Sequence, residues 1–380
     1  MRRRDFVLTG VGALGALVGA GLLGGALREP APVAATGAAS GGAAGGGGTP
    51  RTRVARYAAE AGKAVRPEGP FDHVALVPED PGGEGLQVRF LTADGPGPWQ
   101  TVRLGGHGPD SGGGDGGVLP APDGAVGYEV EAPGGRAVQT AAIDTREGER
   151  VQMRGKAEGV LSTDAAAEDL PPLRYVTRAG WGADESLRYG EDGSESWPRE
   201  YSPVQVFTVH HAAMPVAEDP RETMRAIYRL HTVENGWGDI GYHLLIDPEG
   251  TVYEGRVAGG TVPVFQSPPI PGAAKSVTAA HAVGYNSGNI GICLLGDYTS
   301  EQPSRAAQDR LVRVLRTLAL LTGVDPGAKV NYVNPVTGAE RTADAVAMHR
   351  DWGDTACPGD AFAGRFEEIR KRVADPLGFT

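Results

Sequence analysis

One stretch decides how this chain is interpreted, Met348-His349-Arg350-Asp351-Trp352-Gly353-Asp354-Thr355-Ala356-Cys357-Pro358-Gly359-Asp360. It places a histidine and a cysteine eight positions apart, in a segment rich in Gly, Asp and Pro. His349 ends an apolar run that is typical of a strand, and Cys357 lies in the loop that follows it. We therefore predict that these two side chains converge on one metal ion.

A third ligand has to come from elsewhere in the chain. The apolar run Val204-Gln205-Val206-Phe207-Thr208-Val209 ends in His210-His211, and a strand end is a rigid position for an imidazole. Two imidazoles and one thiolate form a borderline-soft donor set that suits zinc. Three protein ligands with one open position are typical of a catalytic zinc site. We predict that His210, His349 and Cys357 bind Zn²⁺.

The composition limits the kind of protein this can be. The chain has 380 residues, enough for two domains with a sizeable core. Lys and Arg total 36 against 47 Asp and Glu, which gives a formal net charge of −11. An acidic chain has no electrostatic reason to bind nucleic acid or an anionic membrane surface. We expect neither nucleic acid nor a permanent membrane partner, and we expect a monomer.

Residues 1–35 are typical of an export signal. Arg2-Arg3-Arg4-Asp5-Phe6 precedes an uncharged, Gly-rich run over residues 6–27, and small residues near Ala35 could be cut by a signal peptidase. This pattern resembles a twin-arginine signal and predicts a protein secreted to the cell wall. A single membrane anchor is the alternative, since the run is long enough to span a bilayer, although so many glycines make a poor span.

The two cysteines of the chain, Cys293 and Cys357, allow a second interpretation of the thiols. In an exported protein they could form one disulfide. Cys293 lies within residues 290–295, a run typical of a buried strand, where a free cysteine acts as a small hydrophobic residue. A zinc ligand must be a free thiolate, so the disulfide and the metal site exclude each other.

The remaining composition divides the chain into segments. Residues 36–69 are predicted to be a low-complexity tether, because Ala, Gly and Ser dominate their first part. Residues 70–146 are predicted to form a small all-β domain of unknown role, residues 147–174 a linker, and residues 175–380 the domain with the metal site. The β domain rests on short runs separated by turn residues, at 73–77, 86–91, 99–104, 126–130 and 137–143. In the second domain strands alternate with helices, which predicts an α/β sheet packed on helices.

Two hydroxyl groups near the predicted ligands point to a reaction. Tyr242 lies on a neighbouring predicted strand, and its phenol could donate to the oxyanion that forms when a carbonyl is attacked. Thr355, two residues before Cys357, places a second hydroxyl close to the metal for the same purpose. Because zinc can activate water at neutral pH, the predicted reaction class is metal-assisted amide hydrolysis.

Six blocks of sequence carry a resemblance to a known family. They are Val209-His210-His211, Gly236-Trp237-Gly238-Asp239-Ile240-Gly241-Tyr242-His243, Tyr253-Glu254-Gly255-Arg256, Ala280-His281-Ala282-Val283-Gly284-Tyr285-Asn286, Ile290-Gly291-Ile292 and Thr355-Ala356-Cys357-Pro358-Gly359. In this order they resemble peptidoglycan recognition proteins and the phage-lysozyme-type N-acetylmuramoyl-L-alanine amidases. The resemblance covers residues 175–373. It implies an α/β fold with a mixed central β-sheet flanked by helices, here preceded by the small all-β domain.

The resemblance also implies roles for particular residues. It implies that His210, His349 and Cys357 are the zinc ligands and that Tyr242 is the catalytic tyrosine. Thr355 stands where phage enzymes have a lysine. The substrate would be peptidoglycan, cut between N-acetylmuramic acid and L-alanine of the stem peptide.

The sequence leaves the substrate contacts open. Residues 276–280 match neither of the family pairs tied to diaminopimelate or lysine stems, so the stem preference is not predicted. His281 could contact substrate at the edge of a groove or pack within the fold. Arg256 could bind a stem-peptide carboxylate or pair with an acidic residue. His211 alternates with His210 along the strand and is predicted to be structural.

Two alternative functions compete with the amidase. One is a peptidoglycan recognition protein of the same fold without catalysis, although such receptors commonly lack the ligand cysteine that this chain keeps together with Tyr242. The other is a cysteine hydrolase in which Cys357 acts with a histidine. Sensitivity to chelators distinguishes a zinc enzyme from a cysteine hydrolase.

Overall fold

The structure is a computed structural model that describes residues 49–78, 85–104, 107–110, 115–135, 138–151, 155–162 and 172–375. The predicted export signal and the Ala/Gly/Ser-rich residues 36–48 lie outside the described residues. Over the ranges given above, none of the helices has the length and apolar character needed to cross a membrane.

The N-terminal module, defined as the described residues between Thr49 and Val151, consists mainly of short strands. They are β1 (Thr49–Pro50), β2 (Arg53–Ala59), β3 (Ala64–Val65), β4 (His73–Pro78), β5 (Gln87–Thr92), β6 (Gly95–Pro96), β7 (Gln100–Thr101), β8 (Gly117–Pro120), β9 (Gly127–Glu131), β10 (Val138–Asp144) and β11 (Arg150–Val151). One antiparallel sheet has the order β2-β10-β4-β8, and a second has the order β3-β9-β5-β6 with β7 also on β5. The prediction that this part of the chain is built from strands is confirmed.

The tether does not extend to residue 69 as predicted. β2 pairs along its whole length with β10, from Arg53 opposite Asp144 to Ala59 opposite Val138. Ala59 is buried, and Val54 and Tyr57 pack against the core. The low-complexity composition ends at Gly48, and the β-prone Val and Tyr residues beyond it supply a strand that the composition alone does not reveal.

The C-terminal domain is organised around a seven-stranded mixed sheet. The strands of this sheet and of two small two-stranded sheets are β12 (Glu158–Leu161), β13 (Leu173–Val176), β14 (Tyr201–Pro203), β15 (Val206–His211), β16 (Leu244–Ile246), β17 (Val252–Glu254), β18 (Lys275–Val277), β19 (Asn289–Leu294), β20 (Lys329–Val333), β21 (Glu340–Asp344) and β22 (Val346–Met348). The large sheet has the order β12-β13-β17-β16-β19-β15-β22, while β14 pairs with β18 and β20 with β21. β12 is therefore an edge strand of this sheet, although it lies in the predicted linker.

Helices flank the sheet, as the α/β prediction requires. They are α1 (Arg178–Trp181), α2 (Pro220–Arg229), α3 (Arg305–Thr322), α4 (Asp360–Ala363) and α5 (Phe366–Ala374). Asp219 caps the N-terminus of α2, and its carboxylate accepts from the Arg221 amide. Ser304 caps the N-terminus of α3, and Gly323, with φ of 77°, caps its C-terminus. α4 and α5 are separated by Gly364 and Arg365.

The central strands explain the sequence pattern of this domain. Every residue of β15 and of β19 is buried, because parallel strands in the middle of a sheet are covered on both faces. β15 is parallel to both of its neighbours, β19 and β22. The fold is thus the predicted mixed central sheet with flanking helices, preceded by a module of strands.

A buried ionic cluster links the loops at one end of this sheet. The Asp239 carboxylate lies 3.1 Å from Arg178, 3.4 Å from Arg188 and 3.0 Å from Arg256, and all four side chains are buried. Burial opposes ionisation of Asp239, but the three guanidinium groups outweigh it and hold its pKa below the ordinary value. Asp239 is therefore the fully buried carboxylate shared by all three arginines, while Glu185 and Glu195 pair with Arg178 and Arg188 at the edge of the cluster.

We expect Asp239→Asn to destabilise the protein by about 3–5 kcal/mol at pH 7, because the change removes the carboxylate that pairs with the fully buried Arg256 and leaves Arg178 and Arg188 with their partly exposed partners alone. Since the folded-state pKa is lowered, the stabilisation is present above the unfolded pKa of about 3.9 and is lost as the pH falls through the folded value. Urea unfolding measures the loss, with Asp94→Asn on an exposed turn as the control. Equal stability of the two variants would contradict the role of the cluster.

Candidate metal centre

Two of the predicted ligands meet because their strands are parallel neighbours. β15 and β22 pair with Val209 opposite Met348, so the residues that follow, His210 and His349, emerge at the same edge of the sheet. Their ring centroids lie 4.6 Å apart. His349 begins a 3₁₀ turn, and both imidazoles are buried. The strand register therefore brings together two histidines that are 139 positions apart in the sequence.

The third predicted ligand reaches the same place from a loop. The Cys357 Sγ atom lies 3.8 Å from His210 Nδ1 and accepts from the His211 amide at 3.4 Å. The Cys357 amide donates to the Thr355 hydroxyl oxygen at 3.2 Å, which fixes the loop just ahead of the thiol. Cys293 and Cys357 are both free thiols, which contradicts the disulfide interpretation.

A fourth donor, His107, belongs to this cluster and was missed in the sequence. One ligand atom from each of His107, His210, His349 and Cys357 lies within 4.8 Å of the others. His107 comes from the N-terminal module and is the partly exposed member of the group. A single histidine in a glycine-rich loop has no periodicity or spacing that links it to ligands more than a hundred residues away, so the sequence carried no usable signal.

The orientation of His210 is set by a second histidine. His281 Nε2 lies 3.0 Å from the Asn289 carbonyl oxygen, which can only accept, so this nitrogen carries the proton. Burial lowers the pKa of His281 to about 4, so the ring is neutral and its Nδ1 accepts from His210 Nε2–H at 3.1 Å. His210 Nδ1 is then left with its lone pair directed to the cluster, as a metal ligand requires.

A glycine makes room for this arrangement. A Cβ atom at Gly291 in β19 would lie 2.5 Å from the His281 ring, so a larger residue cannot occupy that position without moving the imidazole. His281 is fully buried. It is thus a positioning residue for His210, and this placement does not support the prediction that it contacts substrate.

We expect His281→Ala to weaken zinc binding by about 10–100-fold, because loss of an outer partner frees the tautomer and orientation of the ligand it holds. Competition with a chromophoric chelator measures the affinity. His281→Gln, whose side-chain oxygen can accept from His210, should recover part of the loss. Unchanged zinc affinity in His281→Ala would show that the His210–His281 contact serves packing alone.

The predicted catalytic tyrosine lies beside the cluster. The Tyr242 hydroxyl is 3.3 Å from His107 Nε2, and its ring centroid is 5.3 Å from that of His210. Burial raises the pKa of Tyr242 well above its ordinary value, so the phenol keeps its proton and can act as a donor. Thr355 is partly buried at the loop that carries Cys357.

The other histidines of the domain have protein partners of their own. Backbone amides donate to Nδ1 of each ring, from Tyr298 to His211 at 3.1 Å, from Gly241 to His231 at 3.1 Å, and from Gly291 to His243 at 2.9 Å. His243 also donates from Nε2 to the Val277 carbonyl. These contacts explain three buried imidazoles without a ligand role.

Arg256 is placed differently from the prediction that it contacts substrate. Its side chain is fully buried, pairs with Asp239 at 3.0 Å and stacks 3.8 Å from the Trp197 ring centroid. Its remaining nitrogens donate to the carbonyls of Trp197 and Thr278. The guanidinium is therefore committed to the buried ionic cluster, because it has no accessible surface with which to bind a carboxylate.

The donor set fits zinc. Burial lowers the pKa of His107 to about 4 and that of His210 well below its ordinary value, so these rings are neutral and can coordinate. Burial raises the pKa of the Cys357 thiol to about 12, and coordination to a cation offsets this cost. In tetrahedral zinc the ligand atoms lie roughly 3.4–3.8 Å apart, close to the 3.8 Å between Cys357 Sγ and His210 Nδ1.

Residues 200–360 match the family described as N-acetylmuramoyl-L-alanine amidase, a range that includes His210, His349 and Cys357 but not His107. Peptidoglycan-recognition protein LB of Drosophila melanogaster is 27% identical over 198 residues, covering 50% of this chain and 67% of the relative. Its solved wild-type structure aligns at 26% identity over 55% of this chain and 96% of that chain, with a TM-score of 0.37.

Two further relatives show how much of each protein is shared. Peptidoglycan-recognition protein SC2 of Drosophila simulans is 30% identical over 210 residues, covering 54% of this chain and 92% of the relative. The human N-acetylmuramoyl-L-alanine amidase is 29% identical over 164 residues, but this chain covers only 23% of its length. The chain belongs to the family of peptidoglycan recognition proteins and N-acetylmuramoyl-L-alanine amidases.

Proposed function

We propose that this chain is an exported, zinc-dependent N-acetylmuramoyl-L-alanine amidase that acts on cell-wall peptidoglycan. The supporting observation is the convergence of His210, His349 and Cys357 beside the Tyr242 hydroxyl. The bond cut would join N-acetylmuramic acid to L-alanine of the stem peptide. Export rests on the twin-arginine pattern of residues 1–35.

The side chains around the centre divide the work of hydrolysis. Zinc, when bound by His210, His349 and Cys357, supplies Lewis-acid chemistry that activates water and polarises a carbonyl. His281 keeps His210 in the tautomer that coordinates. Tyr242 keeps its proton and can donate to the carbonyl oxygen as negative charge develops there, which lowers the barrier to attack. Thr355 supports the Cys357 loop through its hydroxyl.

A recognition protein without turnover is the second candidate. One observation favours it: the three predicted ligands and Tyr242 are all buried, and His107 lies against them. A protein in that state could bind peptidoglycan elsewhere on its surface and leave the amide bond intact. The two candidates therefore differ in whether substrate can enter the centre.

The test is release of free stem peptide from a defined muropeptide, followed by mass spectrometry. We expect zinc-loaded protein to release a peptide beginning with L-alanine, in the natural chain or in a His107→Ala variant with a more accessible centre. Removal of zinc by phenanthroline should stop release, and added zinc should restore it. Binding of muropeptide without release by either protein would favour the recognition protein, and turnover that ignores chelators would favour a cysteine hydrolase.

A further inference from the structure

We propose that His107 is a fourth protein ligand of the zinc site and that the segment 107–110 keeps the enzyme latent by occupying the position that substrate must reach. The inference rests on the proposed zinc amidase function and adds to it a form of self-inhibition by the N-terminal module. Its basis is the placement of four residues of that module against the centre. Nothing in the family match covers this part of the chain, since the match begins at residue 200.

His107 contacts the other members of the centre directly. Its ring stacks on His349 with centroids 4.5 Å apart and an interplanar angle of 28°, and its centroid lies 5.4 Å from that of His210. Its Nε2 atom is 3.3 Å from the Tyr242 hydroxyl. One imidazole thus contacts both predicted histidine ligands and the hydroxyl group expected to assist catalysis.

The residues after His107 are anchored to the C-terminal domain. The Asp110 carboxylate accepts from the Gly284 amide at 2.8 Å, from Asn286 Nδ2 at 2.5 Å and from Asn334 Nδ2 at 2.9 Å. Asn286 Nδ2 also donates to the Gly108 carbonyl at 2.9 Å. Each of these bonds joins the N-terminal module to the other domain, so His107 is held in place by a specific site and not by chance proximity.

Asn286 lies five residues after His281, in one of the sequence blocks that carry the family resemblance. In the structure its amide binds Asp110 and Gly108. A carboxylate and a peptide carbonyl are also the groups that a stem peptide presents. The segment 107–110 therefore occupies hydrogen-bonding groups that a peptide ligand could use.

The part of the module that must move is the segment 107–110 alone. The rest of the module shares one buried apolar cluster with the C-terminal domain, in which Leu76 and Ile143 lie with Met224 and Tyr228. The segment itself is held at the centre by the hydrogen bonds of Asp110 and Gly108. Displacement of these few residues exposes the centre while the module stays docked.

With the segment 107–110 in place, the predicted ligands and Tyr242 are buried. His210 is 0% exposed, His349 2%, Cys357 4% and Tyr242 4%. A catalytic zinc site keeps a position open for water or substrate, whereas four protein ligands are the pattern of a structural site. With His107 as the fourth donor, the centre has the second pattern, and turnover requires that the segment first move away.

The first measurement is X-ray absorption at the zinc edge of the full-length protein. We expect zinc in the natural chain to be bound by three imidazoles and one sulfur. In His107→Ala we expect two imidazoles, one sulfur and one oxygen ligand from water. Both proteins should contain the same amount of zinc. The sulfur shell in both proteins confirms that the site is intact. The same imidazole count in both proteins would overturn the inference.

The second measurement is muropeptide turnover by the same proteins. If the open state is populated at about 0.1–10%, removing the inhibitory ligand should raise turnover by about 10–1000-fold. Asp110→Ala, which loosens the anchor without touching the centre, should also raise turnover. Asp94→Ala, an exposed aspartate of the same module, is the matched control and should leave turnover at the natural level.

The outcomes separate this inference from the proposed function. Three imidazoles in the natural chain but no turnover by any variant would support His107 as a ligand and contradict the amidase. Equal turnover by the natural chain and His107→Ala would overturn latency while supporting the amidase. Lower turnover in His107→Ala, with coordination otherwise unchanged, would make His107 part of the catalytic apparatus and also overturn latency.

Discussion

Replacing Cys357 with alanine is expected to abolish zinc binding and, with it, measurable turnover. Cys357 is the sulfur donor of the cluster, and its Sγ atom lies 3.8 Å from His210 Nδ1. Loss of a ligand should weaken zinc affinity by more than the roughly 10–100-fold that follows loss of an outer partner. The substitution should be made both in the natural chain and in His107→Ala, so that latency does not hide the loss of activity.

The second thiol provides a matched control. Cys293 is also a free, buried cysteine, but it lies within β19 and outside the cluster of four donors. We expect Cys293→Ala to retain zinc, at most with a modest loss of stability. Zinc content is the decisive comparison, because the Cys293 thiol contacts the Tyr242 hydroxyl. Zinc content by mass spectrometry and muropeptide turnover are measured in parallel on the two variants. Full zinc content in Cys357→Ala would remove Cys357 from the ligand set.

Three of the four donors could be predicted from the sequence. His210 and His349 each end an apolar run, and parallel strands that are neighbours bring such ends to one edge. The segment from His349 to Cys357 is short enough that the thiol cannot travel far. Local patterns therefore carried most of the information about the three predicted ligands.

The contribution of His107 could not be predicted in that way. It depends on how the N-terminal module docks, and docking is decided by scattered contacts such as Arg56 with Glu234 and Asp110 with Asn286. None of these pairs is close in sequence or repeated at a recognisable spacing. A contact between modules is a property of two folded surfaces, so it emerges only when both are present.

The burial of Arg256 is a second feature that the sequence does not reveal. A charged residue in a block that resembles a known family suggests a ligand contact, but spacing does not reveal whether the side chain is exposed. Here three arginines converge on the buried Asp239, and the sequence gives no sign that they share this carboxylate. β2 could not be predicted either, because it forms by pairing with β10, which lies about 80 residues further along the chain.

The other large effect is expected for Tyr242→Phe, which should lower kcat by about 10²–10³-fold while zinc content stays the same. The substitution removes one hydroxyl from a buried ring and leaves the ring in place. Loss of a single donor to a developing oxyanion costs about 2.7–4 kcal/mol in the transition state. Because that bond strengthens only as charge develops, kcat and kcat/KM should fall together and KM should change little.

Tyr253→Phe is the control for this variant. Tyr253 lies in β17, and its buried hydroxyl donates to Asp247 at 2.8 Å and not to any of the four donors. We expect it to lose about 1 kcal/mol or somewhat more of stability, since a buried acceptor loses its partner, with kcat unchanged. Both tyrosine variants should be measured in the His107→Ala background, where Tyr242 is no longer hydrogen-bonded to the inhibitory histidine. If Tyr242→Phe loses its zinc, or keeps its kcat, the hydroxyl serves the structure of the centre and another donor must stabilise the transition state.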